Sequence, residues 1–324
     1  MNKAEKNGLF AAMSGMALVF GLLLTGCPMG STGIQWTAKN VSYGTHAQQT
    51  FNILIPEKDT AHAIVYIHGG FYYAGNKLWY PQFLTDFAEN NVFATIDYRL
   101  VAQKNNTVHL ADMVQDVDAA LTKIRETAKA NGVTISDFTL VGHSAGAHIA
   151  LLYAYTYGQT DVASCVSLAG PTDYTDDTGW SAMTYYGETI PERLAALSWL
   201  GTELTGRPIS LTQENWTEQN NYPEFKADAE AISPVMYVDT PNALPPTLLV
   251  HGQDDRIVPY SNSARLNAAL DAASVPHTLI SPAGSGNNHM LGGEPIWTNS
   301  VDPITYTGQA WVNEAKTWME VYLQ

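Results

Sequence analysis

The chain has 324 residues and a formal net charge of −15, yet only 15% of its side chains are charged. An acidic chain without a basic cluster argues against nucleic acid and anionic lipid headgroups as partners. The length suits one large α/β domain with an insertion, and no internal repeat is present. Residues 1–26 read as an export signal: Lys3 and Lys6 precede an apolar stretch over 9–24 that is short for a membrane span and is interrupted by Gly15 and Gly21. Residues 27–35 are a short tether, and 36–324 form the folded body. Of the two cysteines, Cys165 lies in an apolar run and is expected to be a small core residue, so no disulfide is expected.

Two strands open the body, over 36–43 and 49–55; in the second, Phe51, Ile53 and Ile55 alternate with polar residues. Later strands are continuous apolar runs, "AIVYIHG", "VFATIDY", "FTLVGH", "ASCVSLAG" and "TLLVHG", as expected of parallel strands buried on both faces, and a further strand is read at "HTLISPAG". Helical spacing separates them over 80–90, 109–130, 145–157, 261–273 and 308–323. The expected fold class is α/β: a mostly parallel central sheet flanked by helices, opened by an antiparallel hairpin. Between 171 and 242 the alternation stops and aromatics accumulate, which reads as a helical cap insertion over the strand ends.

"LVGHSAGAHIALL", over 140–152, places Ser144 between two glycines where a strand period becomes a helical one. Gly142 and Gly146 give the clearance a strand-to-helix turn needs, and the turn presents Ser144 beside the free N–H groups of a helix start. There the Ala145 N–H can stabilise charge on an attacked carbonyl oxygen. A serine nucleophile needs a base and a carboxylate. His289, in "GSGNNHM" beyond the carboxyl end of a strand, is the candidate base; His277 begins that strand and lies at the wrong end. "TLLVHGQDD" offers Asp254 or Asp255 as the acid. His143 and His148 lack metal-ligand spacing, no Cys/His cluster exists, and no glycine-rich loop ends in Lys-Ser or Lys-Thr. No metal and no cofactor are expected.

"YIHGGFYYAG", "DYRL", "GHSAGAHIALL" and "HGQDDRIVP", in this order, resemble the α/β-hydrolase superfamily, within its esterase branch of acetyl-xylan and feruloyl esterases and hormone-sensitive-lipase relatives. The resemblance runs from about residue 61 to residue 289. It implies the triad Ser144, Asp255 and His289, with Asp255 chosen because the family's acid lies four residues after the "HG" histidine, here His251. It also implies an oxyanion hole built from the N–H groups of Gly70, Phe71 and Ala145, with His68 ordering the loop. Many relatives carry a third glycine where this chain has Phe71, whose side chain narrows the acyl pocket.

The implied activity is a serine carboxylesterase acting on short-acyl or feruloyl esters of hemicellulose fragments, so the expected partner is a small ester or an oligosaccharide ester. Trp180, Tyr185, Trp216 and Trp297 are candidate rings for stacking on a sugar or a phenolic acid. An amidase, a formamidase or a lipase could use the same triad, and a fold kept without turnover would be a surface binding protein. "LTGC", over 24–27, resembles the lipobox of bacterial lipoproteins, which would make Cys27 the lipidated residue and place the protein in the bacterial cell envelope, held at the membrane by its anchor alone. Expressed in a bacterium, the chain should fractionate with membranes and incorporate labelled fatty acid, and Cys27→Ser should abolish both; a soluble, unlabelled parent protein refutes the anchor.

Overall fold

The computed structural model describes residues 34–323 except 59, 103–105, 159, 213–222, 240–242, 283–287, 294–302 and 307. The export signal, Cys27 and most of the tether therefore lie outside the described residues, as do Trp216 and Trp297. Among the described residues eight strands are formed: β1 (Ala38–Ser42), β2 (Thr50–Leu54), β3 (His62–Ile67), β4 (Val92–Ile96), β5 (Asp137–His143), β6 (Val162–Leu168), β7 (Thr247–Val250) and β8 (His277–Ile280). They make one sheet in the order β1-β2-β4-β3-β5-β6-β7-β8. The β1–β2 and β2–β4 pairs are antiparallel and every later pair is parallel.

Alternation along each strand divides the core between the two faces of the sheet. Ala63, Val65 and Ile67 of β3 pack on one face with α1 (Leu110–Ala130) and α2 (Ala145–Thr156), while Ile64 and Tyr66 pack on the other. Helix α1 forms because Leu110, Met113, Val117, Leu121 and Ile124 share one buried stripe. Its first turn is closed by the Asp112 side chain, which accepts from the His109 N–H at 2.9 Å. Residues 80–90, expected as a helix, give only a 3-10 turn at Gln82–Phe87, preceded by Pro81. Cys165 is free and buried on β6.

Between β6 and β7 the described chain is helical. It contains α3 (Asp177–Ser181), a 3-10 turn at Thr184–Tyr186, α4 (Ile190–Thr205), α5 (Pro223–Ala231) and a 3-10 turn at Pro234–Tyr237. Helices α6 (Ser261–Ala272) and α7 (Ala310–Tyr322) complete the two layers, with Leu266 on the α1 face and Trp311 on the opposite face. No described helix is long and apolar enough to cross a membrane.

The strand order reverses at β3. Strand β4 lies to one side of it and β5 to the other, so the loops leaving β3 and β5 diverge from adjacent carboxyl ends, where open α/β sheets bind ligands. The registry pairs Ile67 with Gly142, which sets the two loops side by side. Helix α2 then starts so close to β3 that a Cβ on Gly146 would collide with the Ile67 and His68 carbonyl oxygens. Those are backbone atoms and cannot rotate away, so Gly146→Ala should lower stability by about 3 kcal/mol and be visible as a reduced Tm. A thermal midpoint equal to that of the parent chain would show that the contact can relax.

Candidate active site

Ser144 ends β5 and begins α2 with φ 54° and ψ −122°, a conformation that disfavours side chains and costs about 1–3 kcal/mol. The surrounding bonds hold it there: its N–H donates to the Leu168 carbonyl at 2.8 Å, and its own carbonyl accepts from Ala147 and His148 at 3.0 and 3.1 Å. The strained turn aims the hydroxyl away from the sheet. Ser144 Oγ lies 2.8 Å from His289 Nε2, and His289 Nδ1 lies 2.8 Å from Asp255 Oδ2. Because the carboxylate only accepts, Nδ1–H donates to it and Nε2 is left to accept from the serine. All three residues are buried.

Asp255 is held from four directions. Its Oδ1 accepts from the N–H groups of Ile257 and Val258 at 2.8 and 3.0 Å, while His251 Nε2 lies 3.1 Å from Oδ2, beside His289. Burial alone would raise this carboxyl, but His289 and the bonds from His251 and His289 hold it well below the usual carboxylate range. Asp254, its neighbour, is exposed. Of the two acids, the structure brings only Asp255 to His289.

His289 is also held through its backbone. The carbonyl of His289 accepts from His143 Nε2 at 3.0 Å, and the two rings lie 5.2 Å apart. Burial, followed by the proximity of His289, pushes the His143 imidazole down to about 4, so no second cation sits beside the candidate base at neutral pH. From sequence alone His143 reads as incidental; its buried position beside the serine becomes a signal only once its bond to the His289 carbonyl is seen.

The loop after β3 supplies the other half of the site. Gly70, Phe71 and Tyr72 have φ of 126°, 54° and 67° in succession. Among the described residues, the N–H groups of Gly70, Phe71 and Ala145 donate to no acceptor of the chain. Unpartnered donors at the start of a helix are where anionic oxygen is stabilised. The "DYRL" segment braces this loop. Tyr98 stacks on His68 at 4.4 Å and donates to its carbonyl at 2.9 Å, His68 Nδ1 donates to the Gly69 carbonyl at 2.7 Å, and Asp97 binds the N–H of Lys77 at 2.6 Å. Arg99 reaches across to the buried Asp116 on α1 at 2.8 Å.

The aromatic residues of the insertion separate into two kinds. Tyr185 is 41% exposed and lies nearly parallel to the Phe71 ring, 5.6 Å away, and Tyr73 lies 6.1 Å from the same ring. Trp180 corrects the expectation from sequence: at 1% exposure it stacks on Tyr174 at 5.1 Å and donates its indole N–H to the Asp173 carbonyl at 2.8 Å. It packs the inside of the insertion, with Tyr186 edge-on at 6.1 Å, and has no face open to a ligand. Trp216 and Trp297 are outside the described residues.

The depressed Asp255 carboxyl has a consequence for stability. A carboxyl whose folded pKa lies below its unfolded value, near 3.9, stabilises the fold above that value and loses the contribution as pH falls toward the folded pKa. Asp255→Asn should therefore lower Tm most above pH 5, with the gap to the parent chain closing below about pH 4; Asp254→Asn should leave Tm unchanged throughout. A gap that is constant with pH would contradict the arrangement.

Comparison with known proteins agrees with this geometry. The BD-FAE family model matches residues 51–270, which include Ser144 and Asp255. The probable isoprenylcysteine alpha-carbonyl methylesterase ICME of Oryza sativa subsp. japonica is 24% identical over 264 residues, covering 80% of this chain and 59% of the relative. Its Arabidopsis thaliana counterpart is 23% identical over 267 residues, covering 80% and 58%. The chain thus spans about three fifths of the length of these curated relatives. Among solved structures, esterase B from Lactobacillus Rhamnosis superimposes with a TM-score of 0.66 at 16% identity, covering 98% of this chain and 94% of that one. A truncated carbohydrate esterase from gut microbiota gives 0.60 at 19% identity (89% and 98%), and Thermogutta terrifontis esterase 2 gives 0.58 at 19% identity (87% and 92%). The fold is that of the α/β-hydrolase esterases, and the chain belongs to the BD-FAE family.

Proposed function

We propose that the protein is a serine-dependent carboxylic ester hydrolase. The observation that carries this reading is the unbroken chain from Ser144 through His289 to Asp255, placed beside three N–H groups that have no acceptor in the described chain. Family membership and the esterase names of the similar proteins support it.

In this mechanism His289 Nε2 takes the Ser144 proton as Oγ attacks the ester carbonyl, and the new C–O bond leaves a negative charge on the former carbonyl oxygen. The N–H groups of Gly70, Phe71 and Ala145 hold that oxygen. Asp255 keeps the imidazole in the required tautomer and stabilises its positive charge. The intermediate collapses as His289 returns the proton to the departing alcohol oxygen, leaving an acyl-serine. Water then repeats the sequence, releasing the acid and restoring the Ser144 hydroxyl.

The preferred substrates in this reading are short-acyl or feruloyl esters on hemicellulose fragments. The Phe71 ring beside the oxyanion donors favours a small acyl group, and the exposed Tyr185 ring suits a sugar or a phenolic acid. A carbohydrate esterase among the structural neighbours, and another neighbour solved with propionate bound, are consistent with both preferences. With the lipobox-like segment, the enzyme would work from the cell envelope on soluble fragments of external polymers.

Ser144→Ala should keep the fold and reduce kcat by about four to six orders of magnitude, and Asp255→Asn by about a thousandfold or more. The unaltered protein should cleave p-nitrophenyl acetate to butyrate far faster than decanoate, and should release acid from acetylated or feruloylated xylo-oligosaccharides. Tyr185→Ala should raise KM for the oligosaccharides about tenfold, as loss of one stacked ring would, and should also lower kcat for p-nitrophenyl acetate, because the ring backs Phe71. Retained activity in Ser144→Ala removes the nucleophile assignment; a rate rising beyond eight carbons, with no acid from either oligosaccharide, removes the substrate assignment.

A further inference from the structure

A second hydrogen-bonded chain lies behind the oxyanion turn. The Tyr174 and Tyr72 hydroxyls are 2.8 Å apart, the Tyr72 hydroxyl is 2.7 Å from His148 Nδ1, and His148 Nε2 is 2.5 Å from the Ile232 carbonyl oxygen. All three side chains are buried. A carbonyl only accepts, so Nε2 carries a proton; burial pushes the His148 imidazole down to about 4, so at neutral pH Nδ1 carries none. The Tyr72 O–H therefore donates to Nδ1, and the Tyr72 oxygen accepts from Tyr174. Every proton along the chain has one direction.

The elements joined in this way are those the oxyanion hole needs in register. Tyr72 is the last of the three residues with positive φ, immediately after Phe71, and neither Phe71 nor Tyr72 has the conformational freedom of glycine. Its carbonyl is fixed by the Val101 N–H at 2.9 Å, and its side chain by His148, one helical turn beyond Ser144 on α2. The tyrosine thus fastens the turn bearing the Phe71 N–H to the helix bearing the Ser144 oxygen.

We infer that the Tyr72 hydroxyl, anchored by His148, is a positioning group for the oxyanion donors, fixing the Phe71 N–H against the acyl oxygen during turnover. It acts through the Phe71 N–H and touches no reacting atom. The inference rests on the ester-hydrolase reading. Removing an oxyanion donor outright costs about 100- to 1000-fold in rate; a donor left in place but loosely held should cost less.

The test uses Tyr72→Phe, His148→Gln and the double variant, assayed with p-nitrophenyl acetate and with an aryl trifluoromethyl ketone, whose serine adduct places an oxyanion at the same donors. Each single variant should lose kcat by about 10- to 100-fold with KM within about threefold, and Ki for the ketone should rise by a matching factor. The double variant should be no worse than the weaker single, because the two groups act as one unit. The acid limb of kcat/KM should not move, since the triad is untouched. A kcat within threefold of the parent enzyme, a loss with unchanged Ki, or a displaced acid limb overturns the inference. If Tyr72→Phe does not fold, His148→Gln carries the same test; if neither folds, the chain serves the fold rather than the turn and the inference also fails. Absence of ester turnover in the unaltered protein defeats the underlying reading, whereas Ser144-dependent turnover that ignores Tyr72 defeats this inference alone.

Discussion

The site depends on one steric constraint: the first turn of α2 packs against the backbone carbonyls that end β3, with only a hydrogen of Gly146 between them. Parallel neighbours in a sheet put their carboxyl ends at the same edge, but that alone leaves the loops free to diverge. The close approach removes that freedom. It sets the loop that follows Ile67 beside the start of α2, where unpaired N–H groups and the helix dipole already favour negative charge. N–H groups of the β3 loop and of the α2 start that have no acceptor among the described residues are thereby brought near the strained Ser144 turn, whose hydroxyl reaches His289.

Around this point the charge is sparse and directed. Asp255 is the buried anion of the triad, and its four donors leave it little reason to take a proton. Burial keeps the His68, His143 and His148 imidazoles below their ordinary range, so they serve as neutral spacers with one donor and one acceptor each. His289 is then free of a neighbouring imidazolium at neutral pH. Polar groups that would be costly if unpaired become rigid struts when each is matched.

The sequence made the sheet and the three triad positions legible because both follow from order along the chain. Continuous apolar runs marked the buried strands, and Ser144, Asp255 and His289 each follow the carboxyl end of one. The choice between Asp254 and Asp255 needed the spacing seen in related proteins; the physical reason is that the turn after β7 buries one carboxylate beneath His289 and exposes the other. The role of Trp180 was not legible, because an insertion rich in aromatics does not announce which rings face inward. His148 was hidden for the opposite reason. Helix α2 is buried along nearly its whole length, so its pattern shows no preferred face, and only the rule that buried polar groups find partners hints at the Tyr72 bond.

The stacking of Phe71 on Tyr185 means that the oxyanion turn borrows part of its wall from the insertion between β6 and β7. The loop after β3 and the insertion are therefore not separable modules in this chain. Exchanging the insertion for that of a relative would remove the ring against which the Phe71 turn rests. Substitutions that remodel this part of the insertion must keep a flat partner for Phe71, so position 185 is more constrained than its surface exposure suggests.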